Sequence, residues 1–399
     1  MSPDTSHFLA QPDVTDRRAY RLNSIDFLRG LVMVIMALDH VRDFFTDARF
    51  DPADLTQTDS ALFLTRWITH FCAPTFVLLS GISAGLMHER KSTAALSRFL
   101  ATRGLWLVAI EITLVSFGWQ FNLSSFTVGL QVIWVIGASM LVMAALVWLP
   151  PLAIFGFGAV IVLGHNALDY GLFPPVNWTA PTPFWHALHN PGFSLVSGLP
   201  VARMYPLLPW IGLMPLGYAL ARVYRLDPEV RQRFLIRLGA ALILAFLAVR
   251  TVNGYGNPAP WSVQDSGLFT VWSFLNTTKY PPSLAFLLMT IGPGLLVLAY
   301  AERWRGKLID WMVTLGRVPF FYYLAHIYLA HALALVAAEM QGLGWQAMAT
   351  AMWAMPPGYG FSIWIVWLIW IAVVVMLYPA CKWFADLKAR RKDWWLSYL

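Results

Sequence analysis

Residues 24–43 read SIDFLRGLVMVIMALDHVRD, and this stretch indicates the fold class. Its apolar centre lies between charged residues in a helix long enough to cross about 30 Å of hydrocarbon at roughly 1.5 Å per residue. Similar apolar runs recur along the chain, which is 58% hydrophobic and only 12% charged. A soluble globule needs a more polar surface, so this composition disfavours soluble enzymes, nucleic-acid binders and secreted disulfide scaffolds. The sequence predicts an all-α, polytopic membrane protein.

The apolar runs predict ten membrane-spanning helices in one transmembrane domain, residues 21–383. A polar N-terminal tail, 1–20, precedes this domain and a basic tail, 384–399, follows it. An eleventh short or re-entrant helix at 344–355 is a further option. The fourth and fifth spans are separate because a proline pair cannot continue a helix. The ten predicted spans are 25–45, 67–88, 103–120, 126–148, 151–168, 204–222, 234–250, 281–301, 315–338 and 360–381.

The Lys and Arg residues predict the orientation of these spans. With the N-terminus in the cytoplasm, 22 of the 28 Lys and Arg residues fall on the inner side, so the positive-inside rule favours an N-in, C-in protein. The net charge of +7 then reflects topology, and no nucleic-acid partner is expected. The outer loops, 169–203 and 251–280, are either interfacial caps or aromatic platforms for a sugar-like substrate. The six outer cations are Arg42, Arg49, Arg66, Arg203, Arg250 and Lys279.

The first predicted span carries ionisable groups that a membrane helix normally lacks. Each costs about 2.5 to 3.5 kcal/mol on insertion scales, so each needs a partner or a function. Arg29 and His40 are 11 residues apart, which places them on one helix face about 16 Å apart along the axis. This spacing suits a ligand whose anionic end meets Arg29 and whose reactive end meets His40. Alternatively, Asp26 with Arg29, and Asp39 with Arg42, are i,i+3 pairs that only neutralise the helix ends.

His40 is the candidate catalytic base or nucleophile, and Asp39 or Asp43 would orient its imidazole. His70, at a similar depth in the second span, either assists the chemistry or is a structural histidine. No carboxylate is spaced to complete a metal site with His70 on the same helix, so no metal is expected. The two cysteines lie inside apolar runs and predict no disulfide framework.

Further charged residues are candidates for binding the two ends of a substrate. Arg98 and Arg103 enter the third span near the inner mouth and would bind phosphates together with Arg29. Asp26, the neighbour of Arg29, completes the predicted cofactor-binding set. At the outer end of the fifth span, His165, Asn166 and Asp169 either bind sugar hydroxyls or amines or cap the helix. Glu111 is expected to be structural, in an ion pair with Arg103 or Arg29. His326 and His331 are five residues apart and face different directions, and at least one of them is expected to serve in core or interface packing.

Several motifs, in this order, resemble those of a known family. SIDFLRG at 24–30 is similar to the opening of the heparan-alpha-glucosaminide N-acetyltransferase catalytic domain and its bacterial members. The interval from Arg29 to His40 resembles the arginine and histidine motif of the wider transmembrane acyltransferase superfamily. The resemblance extends over residues 21–381. Further similar segments are RWITHFCAPTF at 66–76, TRGLWL at 102–107, GHN at 164–166 and Gly316–His326.

The resemblance implies a multi-pass enzyme of the bacterial inner membrane. Such an enzyme binds acetyl-CoA from the cytosol and passes the acetyl group to an amino or hydroxyl group of a sugar or glycan on the far side. In the animal lysosomal relatives, the catalytic histidine resembles a loop residue after the first helix, but residues 41–60 here contain no histidine. His40 would therefore take that role. Both direct transfer and an acyl-histidine intermediate stay open, and a homodimer is a further expectation.

Two other function classes compete with the acyltransferase. A transporter or permease would line its pathway with the same polar helix face and would perform no covalent chemistry. A structural membrane protein would use the buried charges only as ion pairs. The acyltransferase is the leading hypothesis, and CoA binding is the observation that would separate it from both alternatives.

Overall fold

The computed structural model describes residues 14–169, 183–350, 354–391 and 393–397, and its secondary structure is mostly helical. The apolar runs of the sequence form helices, as expected for a chain that must satisfy its backbone hydrogen bonds inside a membrane. The helices are α1 (Val14–Phe45), α2 (Ser60–Ile68), α3 (Cys72–His88), α4 (Thr93–Ile110), α5 (Ser116–Gly118), α6 (Val132–Leu146), α7 (Pro151–Gly164), α8 (Pro183–Leu188), α9 (Leu208–Leu220), α10 (Pro228–Val252), α11 (Gly267–Leu275), α12 (Leu284–Ala301), α13 (Lys307–Arg317), α14 (Pro319–Met340) and α15 (Ile363–Arg390).

Among the described residues, seven helical stretches are long and apolar enough to cross a membrane. Each overlaps one predicted span, so the chain is a multi-pass helical membrane protein. Three of the ten predicted spans are not in this set. The span 25–45 falls in α1, which carries several charges. The spans 126–148 and 204–222 fall in α6 and α9, which are short helices of 15 and 13 residues. The seven stretches are Ser60–His88, Thr93–Gly118, Pro151–Leu168, Pro228–Val252, Leu284–Ala301, Pro319–Met340 and Ile363–Arg390.

A small β-sheet corrects the prediction of an all-α fold. Its strands are β1 (Val128–Leu130), β2 (Gly192–Val196) and β3 (Leu199–Arg203), in the order β1-β3-β2. β1 pairs parallel to β3, and β2 pairs antiparallel to β3. The predicted span 126–148 therefore began too early, because a short apolar run fits a strand as well as a helix.

The structure also corrects the ends of several predicted elements. α1 begins at Val14, inside the predicted tail 1–20, whose residues 1–13 lie outside the described part. α15 continues to Arg390, into the predicted C-terminal tail. In the described part of 344–355, which excludes 351–353, the helical structure is a single 3-10 turn, Trp345–Ala347. Gly342 and Gly344 adopt positive φ angles of 75° and 78°, which a helix cannot continue through.

Helix α1 lies inside the bundle and contacts α3, α12, α13, α14 and α15. Its charged residues near the His40 end are covered: Asp39 and His40 are each 8% exposed and Arg42 is 3% exposed. The polar face of α1 therefore faces protein and not lipid. This packing keeps ionisable groups out of the hydrocarbon, where they would be most costly.

Two glycines bring α1 and α13 into backbone contact near Arg29. A Cβ atom built on Gly316 would lie 1.8 Å from the carbonyl oxygen of Asp26, and one built on Gly30 would lie 1.8 Å from that of Met312. Only glycine permits this approach, and Arg29 uses it to donate a hydrogen bond to the Gly316 carbonyl at 3.1 Å. The contact therefore fixes one wall of the Arg29 site.

We expect Gly316→Ala to lower the stability of the detergent-purified protein by about 1 to 3 kcal/mol, because the added methyl must push two helices apart. Thermal unfolding with a fluorescent reporter measures the effect. Gly267→Ala is the matched control, since a Cβ at Gly267 meets nothing within 4 Å. An unchanged melting temperature for Gly316→Ala would contradict the close contact between α1 and α13.

Candidate active site

Two cavities lie along one face of α1. Arg29, Met33 and Met36 line the first, and His40 and Asp43 line the second. Successive residues in this series are three or four positions apart, which is the spacing of a single helix face. We call the two spaces the Arg29 cavity, of about 250 Å³, and the His40 cavity, of about 480 Å³. The same face of α1 therefore lines two separate cavities.

The Arg29 cavity is mainly apolar and has two cationic side chains, Arg29 and Arg103. The Arg29 guanidinium donates hydrogen bonds to Asp26 at 2.9 Å, to the Gly316 carbonyl at 3.1 Å and to the Ser83 hydroxyl at 3.2 Å. About one fifth of the Arg29 side chain stays accessible. The cavity therefore combines a held, partly accessible guanidinium with an apolar interior. Its apolar lining is Met33, Met36, Phe76, Met87, Phe99, Leu100, Leu107, Val132, Ile133, Ile136, Met140, Pro319 and Phe320.

The other residues predicted for the cytosolic end are placed differently. Asp26 contacts Arg29 and lies 3.8 Å from Arg317, so it positions these cations. Arg98 is exposed and lines a separate shallow depression with Ala94 and Thr102. The structure thus brings Arg29, Arg103 and Asp26 together and leaves Arg98 apart. The role of Arg98 in phosphate binding stays a prediction.

His40 is held by a second histidine. The Nδ1 atom of His40 lies 2.7 Å from Nε2 of His326 in α14, and the ring centroids are 4.9 Å apart. The Nδ1 atom of His326 lies 2.9 Å from the Tyr322 carbonyl oxygen. A carbonyl oxygen only accepts, so this Nδ1 carries a proton and donates it. For two neutral imidazoles the tautomers follow: Nε2 of His326 accepts, and Nδ1 of His40 donates.

The tautomer of His40 leaves its Nε2 atom unprotonated. Among the described residues, this Nε2 has no hydrogen-bond partner, and the His40 side chain lines the His40 cavity. The ring of Trp119 packs edge-on at a centroid distance of 4.9 Å and limits its movement. The result is a fixed imidazole whose lone pair can take a proton or attack an acyl carbon.

The orienting position that we predicted for Asp39 or Asp43 belongs to His326. Asp39 accepts two hydrogen bonds of 3.0 Å from Arg66, contacts Arg42 at 2.9 Å and lies 3.5 Å from Lys279. Asp43 pairs with Arg42. The two carboxylates are therefore engaged by cations beside the imidazole. A catalytic role for Asp39 or Asp43 stays a prediction.

The phenol ring of the loop residue Tyr280 lies near two of these cations. Its ring lies 5.2 Å from Lys279 Nζ and 6.0 Å from the Arg66 guanidinium carbon. Burial raises the pKa of the Tyr280 phenol. The positive charges of Lys279 and Arg66 lower it by more than burial raises it, so the pKa lies below its ordinary value. Tyr280, which lines the His40 cavity, is thus influenced by the charges of both cations.

His70 lies close to this cluster without bonding to His40. Its ring packs on Phe286 at a centroid distance of 5.3 Å, and its buried Nδ1 has no hydrogen-bond partner among the described residues. His70 does not line either of the two cavities. A catalytic role for His70 stays a prediction.

The two cavities meet at a thin layer of side chains. Tyr323 lines the Arg29 cavity, and its ring centroid is 6.1 Å from that of His40. Gln131 lines the His40 cavity, while the next two residues, Val132 and Ile133, line the Arg29 cavity. His40, in the wall of one cavity, therefore lies next to Tyr323, in the wall of the other.

Among the described residues, Glu111 bonds to the protein backbone and not to a cation. We expected it to pair with Arg103 or Arg29, but its Oε1 accepts a 2.9 Å hydrogen bond from the backbone N–H of Gln131, at the start of α6. The N-terminus of a helix has free N–H groups, which can donate to a carboxyl oxygen in the absence of a cation. A π-helical turn, Glu111–Val115, places the side chain.

The three residues predicted for acceptor binding form a network at the end of α7. His165 contacts the Pro282 carbonyl at 2.9 Å, Asn166 accepts from Leu284 N at 2.7 Å, and Asn166 donates to Asp169 at 2.7 Å. Burial raises the pKa of Asp169, but hydrogen bonds from His189 and Asn166 outweigh it, so the pKa lies below its ordinary value. These bonds tie α7 to the start of α12. None of the three predicted residues lines the His40 cavity, so acceptor binding by them stays a prediction.

Sequence reasoning missed several residues of the site. At least one of His326 and His331 was expected to serve only in packing, and neither Arg66 nor Lys279 was predicted to contact Asp39. A weak signal existed, because His326 ends the Gly316–His326 motif and a lone buried imidazole needs polar partners. The pairing of His40 with a residue 286 positions away has no local pattern.

Comparison with known protein families agrees with the family resemblance of the sequence motifs. The model of the family described as heparan-alpha-glucosaminide N-acetyltransferase, catalytic, matches residues 21–255, more than half of the chain. The match begins where the sequence resemblance begins and includes Arg29 and His40, whereas His326 lies beyond it. No curated protein matches the chain. The match supports a membrane acetyltransferase-like function. The chain belongs to the heparan-alpha-glucosaminide N-acetyltransferase catalytic-domain family.

Proposed function

We propose that the protein moves an acetyl group from cytosolic acetyl-CoA to an amino or hydroxyl group of a sugar or glycan at the outer face of the bacterial inner membrane. The observation that carries this proposal is the buried face of α1, on which Arg29 borders one cavity and His40 the other. In an N-in, C-in protein, the Arg29 cavity opens toward the cytosol and the His40 cavity toward the outer side.

The Arg29 cavity suits the acyl donor. Acetyl-CoA supplies a thioester at the end of a flexible arm whose other end carries phosphates. Arg29 and Arg103 would bind the phosphate oxygens, since a planar guanidinium donates two parallel hydrogen bonds to such groups. The apolar lining would accept the arm and exclude water from the thioester. Asp26 and the Gly316 carbonyl would keep the Arg29 guanidinium in place.

His40 would act as the general base in direct transfer. Its Nε2 atom takes the proton from the acceptor amine or hydroxyl while the acceptor nitrogen or oxygen bonds to the thioester carbon. The carbon–sulfur bond then breaks, and His40 returns the proton to the departing sulfur, so the imidazole ends as it began. His326 would act as a positioning residue that holds the proton on Nδ1 of His40.

The Arg29 assignment predicts a binding defect. We expect Arg29→Gln to raise the Kd for CoA by about tenfold, because it removes one charged hydrogen-bond donor, worth roughly 1.5 to 3 kcal/mol. The kcat at saturating acetyl-CoA should change much less, since Arg29 is remote from the reacting atoms. Calorimetry with CoA and steady-state CoA release measure the two quantities.

The exposed Arg98 offers a comparison for that variant. Arg98→Gln tests whether a cation outside the Arg29 cavity contributes to the same binding, and we expect a smaller change in Kd. An Arg29→Gln protein that binds CoA as tightly as the wild type would remove Arg29 from the donor site. Solute flux into proteoliposomes without CoA, together with no CoA release, would favour a transporter instead.

A further inference from the structure

Two phenol groups lie in the wall of the His40 cavity. Tyr205 and Tyr280 both line this cavity together with His40. Their rings pack edge to face, with centroids 5.1 Å apart. Tyr280 belongs to the loop before α12, and Tyr205 belongs to the segment between β3 and α9. Two elements that are far apart in the sequence thus bring a pair of phenols to the space that His40 faces.

The oxygen of the Tyr280 phenol accepts hydrogen bonds from two neighbours. The Arg66 guanidinium is one of them, and a guanidinium can only donate. The Tyr205 hydroxyl is the other. Burial and this hydrogen bond both raise the pKa of Tyr205. Burial raises the pKa of Tyr280 as well, whereas Lys279, Arg66 and the hydrogen bond with Tyr205 lower it. These opposite effects of one hydrogen bond identify Tyr205 as its donor and Tyr280 as its acceptor.

The hydroxyl proton of Tyr280 is used by neither of these contacts. A phenol oxygen has one proton and two lone pairs, and Arg66 and Tyr205 donate to the lone pairs. The proton is therefore directed to a third group, and the cavity that Tyr280 lines has space for that group. Hydrogen bonds in a chain polarise one another, and here one donor is a cation, so the Tyr280 hydroxyl is a stronger donor than that of an ordinary tyrosine.

We propose that Tyr280 is a catalytic residue that donates a hydrogen bond to the carbonyl oxygen of the acetyl group during transfer. When the acceptor atom bonds to the thioester carbon, an electron pair of the C=O bond moves to this oxygen, which becomes an oxyanion. The Tyr280 hydroxyl stabilises the oxyanion and keeps its proton. The electron pair returns to the carbon as the carbon–sulfur bond breaks, so Tyr280 ends unchanged. The assignment rests on the proposed acetyl transfer.

Tyr280→Phe tests this role, because phenylalanine keeps the ring and removes only the hydroxyl. CoA release is measured with purified protein, acetyl-CoA and glucosamine. We expect kcat to fall by about 10²- to 10³-fold, the usual cost of removing one donor to an oxyanion, while the Kd for CoA stays within about twofold of the wild type. Tyr359→Phe is the matched control. Tyr359 is another buried loop tyrosine, but it lines neither cavity, so kcat should not change.

Infrared spectroscopy gives a second readout that needs no turnover. The probe is a ketone analogue of acetyl-CoA that has a methylene group in place of the sulfur and a ¹³C-labelled carbonyl, so it cannot transfer its acetyl group. A hydrogen bond weakens a C=O bond. We therefore expect the carbonyl stretching frequency of the bound probe to be lower in the wild type and in Tyr359→Phe than in Tyr280→Phe.

The outcomes separate the role of Tyr280 from the acetyl transfer. An unchanged kcat in Tyr280→Phe would overturn the role of Tyr280 and leave the acetyl transfer intact. An unchanged carbonyl frequency would overturn it even if kcat fell, since the loss of activity would then come from altered packing. A wild-type protein that binds neither CoA nor the probe would overturn the acetyl transfer itself, and the role of Tyr280 with it.

Discussion

His40→Ala is expected to lower the kcat of acetyl transfer by about 10²- to 10⁴-fold, which is the usual contribution of a positioned general base. The affinity for CoA should stay within about twofold of the wild type, because His40 lies in the other cavity from Arg29. Single-turnover transfer of radiolabelled acetyl groups and calorimetry with CoA measure the two effects. The variant removes the only imidazole nitrogen in the His40 cavity that the described structure leaves without a hydrogen bond.

His186→Ala provides the control for this substitution, since His186 lies outside both cavities and its loss should not affect transfer. Retained turnover in His40→Ala would remove His40 from the chemistry. Exchange of labelled CoA into acetyl-CoA without any acceptor would show that His40 accepts the acetyl group itself, and the direct mechanism would then be wrong.

His326→Leu is expected to lower kcat by about 100-fold or more while leaving CoA binding unchanged. Leucine fills the space but cannot accept the proton of His40 Nδ1, so the imidazole is free to adopt the other tautomer, which blocks the Nε2 lone pair. His326→Gln should recover at least about tenfold of the lost activity, since its side-chain oxygen can accept the same proton. The difference between the two variants isolates the hydrogen bond from the packing.

A purely structural role for His326 predicts another outcome. The Leu and Gln variants would then lose activity in proportion to their loss of thermal stability. Equal kcat values for the two variants at equal melting temperatures would contradict the positioning role. The pH profile gives a second readout, because a change of tautomer alters the apparent pKa of kcat and a simple loss of folded protein does not.

The sequence was sufficient to predict the helical membrane fold and to place Arg29 and His40 on one face of α1. Apolar runs report membrane spans directly, and the periodicity of a helix relates Arg29 to His40 without any tertiary information. The structure places both residues at cavities on one buried face. The glycine contact between α1 and α13 and the π-turn at Glu111 had no comparable sequence signal.

Long-range partners could not be predicted in the same way. The predicted i,i+3 pairs of α1, Asp26 with Arg29 and Asp39 with Arg42, are present. The partners from other elements were missed: Asp39 is also bound by Arg66 and Lys279, and His40 is bound by His326. These pairings depend on how helices pack, which a single sequence does not encode locally. The short strand β1 was missed for another reason, because three apolar residues carry no periodicity.

The most direct test is vectorial transfer across a sealed membrane. Purified protein is reconstituted into proteoliposomes that enclose glucosamine, and radiolabelled acetyl-CoA is added only outside. We predict that acetylated sugar accumulates inside the vesicles with the wild-type protein and not with His40→Ala, while CoA is released outside. Acetylation that occurs only when both substrates share one compartment would contradict the passage of the acetyl group from the Arg29 cavity to the His40 cavity.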